Sequence, residues 1–390
     1  WNTSQVTSMR AMFYKGFDFN QDVGSWDVSQ VTDMYQMFHS ASAFNKNIAN
    51  WDVSGVTNMA NMFYAASAFN RDISSWTGTA ATTAQGGMFT SATAFQAKFA
   101  CTNAVTGPAI SCTCTNCIPD ASWHVFVSEC LELEPKYGEC MSWDKVGTYG
   151  TMPNWDTGLV TDMGKKYSSE RGYMGFYNQT DFRGDLSKWD TSRVKSMESM
   201  FREADEFDKD AFKHTDALLT TSNMFRNAMK FNSNVNDLVM DSVKDASYMF
   251  YGSEKFDQPL DNWNTAKVEN MEHMFHYASS FNQNLNRWDT SSATNMNGLF
   301  QSASTFNGDI SKWNVSKVEK MFSMFKNCKN FNADLSHWRP ERAVDMSYMF
   351  YNSAFDGDVR MWLSKQPKLD TTEMFVKAAY FGKKWKCEDA

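Results

Sequence analysis

Six cysteines crowd one stretch of the chain: Cys101, Cys112, Cys114, Cys117, Cys130 and Cys140. Sulfur at this density does one of two things. It pairs into disulfides, or as thiolate it holds a metal such as zinc. The surrounding text is rich in Gly, Pro and Thr, and an even number of clustered cysteines in such a loop-rich segment reads as a disulfide-stapled insert. Cys112 and Cys114 are too close to bridge each other easily; the connectivity is otherwise open. Cys114-x-x-Cys117 supplies half a zinc knuckle, but no second CxxC or CxxH follows. Zinc or redox chemistry in this insert is the one enzymatic reading the sequence offers.

Other reactive groups are sparse or repeated. His273 and His276 sit three apart on an expected helix, where both could face one metal, yet solvated surface is the expected state. Aspartate recurs at fixed places: Asp22, Asp72, Asp185, Asp210, Asp309, Asp334 and Asp358 in one column, Asp27, Asp52, Asp190 and Asp289 in another. Stacked carboxylates could hold calcium, but Asn47, Asn234, Asn284 and Pro259 interrupt the first column. Service as turn or helix-start acceptors is the plainer role. Asn2, Asn178 and Asn314 head glycosylation sequons. No P-loop, GxGxxG, GxSxG or HExxH is present. An enzyme needs unique groups converging in one pocket; here the same residue type recurs many times over, and no catalytic residue is assigned.

The recurrence has a period of 25 residues. Phe13, Phe38 and Phe63 begin a column that continues through Phe89 and, after a gap, from Phe176 to Phe375. Met or Leu precedes each of them except at Gly175. A second Phe follows six residues later (Phe19, Phe44, Phe69, and on to Phe381), and Trp seven after that, with His214 and Leu238 breaking the Trp column. From Val31 to Ala41 the apolar residues are spaced three, three, one, three, which predicts a helix. The Phe-Asn-x-Asp/Asn-Ile stretch predicts a turn and a short strand. No unit buries its apolar side alone, so neighbours must stack. Ala41, Ala66, Ala92, Ala204, Ala228, Ala278 and Ala303 form a small-residue column, with Cys328 in the same place as a buried free thiol. Asn20, Asn45, Asn70, Asn232, Asn282, Asn307 and Asn332 form another, whose amides are expected to bond the backbone of the next coil. The residue after the first Phe is often aromatic. Tyr14, Tyr64, Tyr251 and Tyr351 in this column are candidate partner-binding residues, for rings of this kind suit sugars or a protein surface.

The Trp-Asp-Val-Ser-x-Val-Thr-x-Met-x-x-Met-Phe pattern followed by Phe-Asn-x-Asp-Ile, as in 26–48 and 51–73, resembles the BspA-like, mycoplasma-lipoprotein-type surface-protein repeat. The resemblance implies a leucine-rich-repeat-like solenoid, a surface or secreted location, and adhesion or recognition; it carries no catalytic residues. The expected fold is thus an α/β solenoid of about thirteen coils. Repeats 1–4 occupy 1–95, the cysteine-rich insert 96–154, repeats 5–13 residues 155–381, and a tail 382–390. Between Met163 and Phe176 extra residues predict a bulged loop.

The chain has 390 residues and a net charge of −8, with no basic run. Nucleic acid and anionic membranes would want the opposite sign. No stretch is apolar enough to span a membrane. The leading expectation is a non-enzymatic extracellular or cell-surface scaffold that contacts protein or glycan. The alternative is a filament or sheath subunit, a homo-oligomer stacking through ends with no evident polar cap. Residues 96–154 and the Tyr column are where individuality is expected.

Overall fold

The computed structural model describes residues 1–170, 172–210, 212, 215–363 and 369–378. His214, Phe381, Cys387 and the tail 382–390 lie outside the described residues. The chain divides into two compact units, Trp1–Cys117 and Ile118–Ala390. The division falls within the cysteine-rich segment.

In each unit, successive copies of the repeat lie side by side and parallel. Single-residue bridges join Ser8 to Asp33 and Asp33 to Asn58 in the first unit. In the second they run from Asp162 through Ser196, Thr220 and every later copy to Asp370. Beyond each bridge, alternate N–H groups cross to the next coil. Met34 donates to the Asn58 carbonyl, Gln36 to Ala60, Phe38 to Met62 and Ser40 to Tyr64, at 2.7–3.1 Å. The N–H groups between them stay within the coil: Met37 donates to Met34, His39 to Gln36, Ala41 to Phe38.

This pattern replaces the helix expected over 31–41. A helix would close every N–H four residues back on itself, whereas here half of them cross. Gln36 and Ser40 have φ of 57° and 60°, and the same two places are left-handed in coil after coil, as at Asn223 and Asn227 or Tyr348 and Asn352. A left-handed residue cannot continue a right-handed helix. The apolar spacing misled because a run of tight turns also brings residues i and i+3 together. The strand expected near Ile48 is likewise absent; the bridge falls ahead of the turns, at Asp33.

The apolar columns form continuous stacks. Phe38 and Phe44 lie ring on ring at 3.9 Å within a coil, and Phe38 meets Phe63 of the next at 5.8 Å. Trp288 stacks on Trp313 at 6.0 Å, and each indole N–H reaches back to a carbonyl of the preceding coil, Trp313 to Leu285 at 2.8 Å. Such ring pairs add about 0.5–1.5 kcal/mol each beyond the area they bury. The alanine column is fully buried. Cys328 in that column is a free thiol whose Sγ donates to the Phe300 carbonyl; burial pushes its pKa up. Where Trp is missing, Leu238 is buried in its place, and Phe212 stacks on Phe201 at 6.1 Å.

The asparagine column does what its chemistry suggested. In the second unit the Asn307 N–H donates to the Asn282 side-chain oxygen and the Asn332 N–H to that of Asn307, both at 2.8 Å. Asp208 and Asp257 fill the same place without breaking the ladder. The Asp columns are spent locally: Asp27 accepts from the Ser29 N–H, Asp309 from Ser311 and Asp334 from Ser336. These are side-chain turns, and the bonds hold the three carboxyls below their usual pKa.

The segment read as an insert packs against the repeats of each unit separately. In the first unit it follows helices α1 (Thr79–Thr82) and α2 (Thr93–Lys98). It opens with strand β1 (Phe99–Ala100), which pairs antiparallel with β2 (Thr113–Cys114). The loop between them covers the fourth coil: Phe89 donates to the Val105 carbonyl and Gln85 to Thr106, at 2.8 and 2.9 Å. The Cys101–Cys112 disulfide ties this loop, and Cys114–Cys117 follows. In the second unit, helix α3 (Trp123–Leu133) is pinned by Cys130–Cys140. The Asp120 carboxylate accepts from both the N–H and hydroxyl of Thr161 at 2.7 Å, and His124 Nε2 donates to the Gly164 carbonyl at 2.7 Å. Gly175, in the one copy that lacks Met or Leu before its Phe, has φ of 91°, a backbone that a side chain would strain. The extra residues after Met163 form a hairpin, strands β3 (Lys166–Ser168) and β4 (Gly172–Met174), rather than a bulged loop.

Candidate functional site

The residue after the first Phe is set by the turns on either side of it. Phe38 points into the core with no exposure, and its neighbour His39 is left half-buried on the surface. Repetition then builds a column. In the first unit Tyr14, which is exposed, meets His39 at 4.8 Å, and His39 stacks on Tyr64 at 4.6 Å.

In the second unit the same column is part aromatic and part cationic. The Arg202 guanidinium lies 5.3 Å from the Tyr177 ring centre and that of Arg226 4.7 Å from Tyr251. Arg226 is also 5.1 Å from Tyr248, three residues before Tyr251. Tyr251 meets His276 edge-on at 4.8 Å. Farther along, Lys326 lies over Tyr348 and Tyr351 at 4.7 and 5.4 Å. Arg202 is committed to Glu203 at 3.1 Å. Among the described residues, Arg226 and Lys326 have no carboxylate within ion-pair distance.

Of the residues singled out from sequence, Tyr14, Tyr64, Tyr251 and Tyr351 all fall on this column, the first two in one unit and the last two in the other. The surface position expected for His273 and His276 is corrected. His276 is buried at 7 % exposure and its Nδ1 faces that of His273 at 2.9 Å. Burial first, and the neighbouring positive charges of His273, Arg226 and Lys326 after it, push His276 down to about 3. Its Nε2, like Nε of Arg226, is buried without a hydrogen-bond partner. The sequon residues Asn2, Asn178 and Asn314 are exposed. Asn314 Oδ1 accepts from the Ser316 N–H at 3.1 Å, as Asp does in sister copies. The six cysteines are paired, so the half-knuckle sulfurs Cys114 and Cys117 bond each other.

Arg226, Lys326, Tyr248 and Tyr348 were missed. The signal was there at the repeat period: Arg226 and Lys326 occupy the Tyr column, but a search for aromatics alone passes over them.

These features define a class, a disulfide-bearing repeat protein of 25-residue coils. The chain belongs to the family described as Mycoplasma protein of unknown function, DUF285, whose model matches residues 1–102, 144–251, 212–296 and 283–387. No curated protein matches the chain. No helix among the described residues is long and apolar enough to cross a membrane.

Proposed function

We propose that the chain is a non-enzymatic recognition scaffold at the cell surface or outside the cell, a leucine-rich-repeat-like solenoid of the BspA-like kind. The aromatic and cationic column is its contact face, for a protein or glycan. One observation carries the reading: at the same position of many coils the column places rings and cations, most of them at least partly exposed, and Arg226 and Lys326 there have no carboxylate within ion-pair distance. Core columns are filled with Phe, Met, Ala and Trp; this one is free to vary and yet is mostly Tyr, His, Arg and Lys. The three disulfides support an oxidising compartment.

A screen of the intact chain on glycan and protein arrays tests this, with Tyr64→Ala and Tyr251→Ala alongside. The expected result is a partner whose binding weakens in at least one variant while thermal unfolding is unchanged. A partner bound equally by both variants would remove the column from the reading. Absence of any partner would remove the recognition role.

A further inference from the structure

Resting on that recognition role, we infer that the face built from Arg226, Tyr251, Lys326 and Tyr351 binds an acidic polysaccharide, a sugar chain carrying carboxylate or sulfate groups.

The argument begins with charge. The chain is acidic overall, at −8, yet this column holds cations with no carboxylate within ion-pair distance. Arg226 and Lys326 are such cations, and both are close enough to His276 to disfavour its protonation. Glu272 acts on Tyr248 and His273 in the same coils but lies beyond ion-pair distance of both cations. An anion seated beside Arg226 or Lys326 would meet charge-assisted donors, the stronger class of hydrogen bond. Arg226 Nη1 donates to Asn223 Oδ1 at 3.1 Å, while its Nε is buried without a partner.

The rings narrow the anion to a sugar. Tyr251 and Tyr351 lie along the same column, and Tyr rings present the flat apolar surface on which the C–H face of a pyranose rests. Tyr248 and Tyr348 widen the aromatic surface beneath the two cations. Periodicity narrows it further. Neighbouring coils repeat at 5.5–5.7 Å between Phe250, Phe275, Phe300 and Phe325. A polymer of repeating sugars can track such a ruler, meeting Arg226 and Tyr251 on one pair of adjacent coils and Lys326 and Tyr351 on another. Arg226 and Lys326 stand four coils apart, so the charges they match are sparse, as they are on a polymer with about one acidic group for every one or few sugars. An acidic peptide would meet the cations but gain little from the rings.

The test uses the full chain and immobilised polymers: polygalacturonate for carboxylate, heparin for sulfate, dextran as the neutral sugar, polyglutamate and oligo-dT as acidic non-sugars. Retention is expected on polygalacturonate or heparin, falling with added salt, and the stronger of the two identifies the acid group. Arg226→Gln combined with Lys326→Gln should weaken it about tenfold or more, and Tyr251→Ala comparably, while Lys326→Arg retains it. Should the Arg226 variant fold poorly, Lys326→Gln alone must still lower affinity. Bound polymer should also raise the pH at which His276 titrates, a shift that mere structural support would not give. Dextran held equally well, polyglutamate or oligo-dT held more tightly, or an unaffected double variant would overturn the inference. If the arrays give a partner through the Tyr column while neither acidic polysaccharide is retained, the inference falls and the recognition role stands.

Discussion

The Nδ1 atoms of His273 and His276 lie 2.9 Å apart, close enough that one ring donates to the lone pair of the other and at least one is uncharged. They come from neighbouring turns of one coil, and His276 sits beneath Tyr251 with almost no access to water. The pair is thus an internal proton-sensitive contact in an otherwise apolar and amide-bonded stack.

Acid should reach this contact before it reaches the carboxylates. His276 is folded at about 3 against an unfolded value of about 6.5. Its stabilisation is complete above 6.5 and is lost as pH falls toward 3, because only the unfolded chain then takes the proton. Unfolding free energy measured by denaturant should fall through that window by a few kcal/mol, and His276→Tyr should flatten the slope. Asp309 and Asp334, held low by the Ser311 and Ser336 N–H groups, add their own loss only below about 4. Equal slopes for the variant and the parent chain between pH 6.5 and 4 would show that His276 carries none of it.

The amide ladder gives a second expectation. Asn282→Ala removes the acceptor of the Asn307 N–H and should cost about 0.5–1.5 kcal/mol. Asn282→Asp should cost far less, since Asp257 serves as an acceptor one coil away. Urea midpoints at neutral pH decide between a working ladder and a decorative one, in which Ala and Asp would behave alike.

The left-handed turns give a third. Gln36 has a φ of 57° and Gly298 stands at the matching place in another coil. Gln36→Gly should be nearly neutral, while Gln36→Val should destabilise by roughly 1–2 kcal/mol because a β-branched side chain resists this backbone. Equal midpoints for Gly and Val would contradict the turn geometry.

The first cap is testable through its sulfur. Replacing Cys101 and Cys112 with Ser releases the loop that receives the Phe89 and Gln85 N–H groups. Loss of about 2–4 kcal/mol is expected for the first unit, together with faster hydrogen exchange at those two amides. Exchange in the coils after Trp155 should not change, for the two units have separate buried cores. Unchanged exchange at Phe89 would mean the loop covers nothing.

Much of this was legible in the sequence, but unevenly. Columns read correctly wherever one residue has one use: Ala278 and Cys328 are buried, Asn307 bonds the coil beside it, and Asp309 closes a turn. The backbone was misread because apolar spacing reports which residues face the core, not which carbonyl each N–H selects. Only left-handed residues distinguish the turns from a helix, and Gln36, Tyr248 or Glu373 do not advertise that conformation as Gly would. The caps were opaque for a different reason. Residues 101–154 have no period to read, and their roles depend on meeting distant partners, as Asp120 meets Thr161. In the candidate site, Tyr251 was found by type, whereas Arg226 was overlooked because a cation on an aromatic column looks like a break in it.

The Asn-to-backbone ladder has a genetic consequence. Each coil bonds chiefly to the coil on either side, through equivalent atoms, as Asn282, Asn307 and Asn332 do. Excising or duplicating the 25 residues between two equivalent points brings together backbone edges that match. Unequal crossing-over can therefore shorten or lengthen the stack with clashes confined to side chains fitted to one neighbour, as Gly298 is to His273, and the tally of coils is freer to drift than residues 101–154.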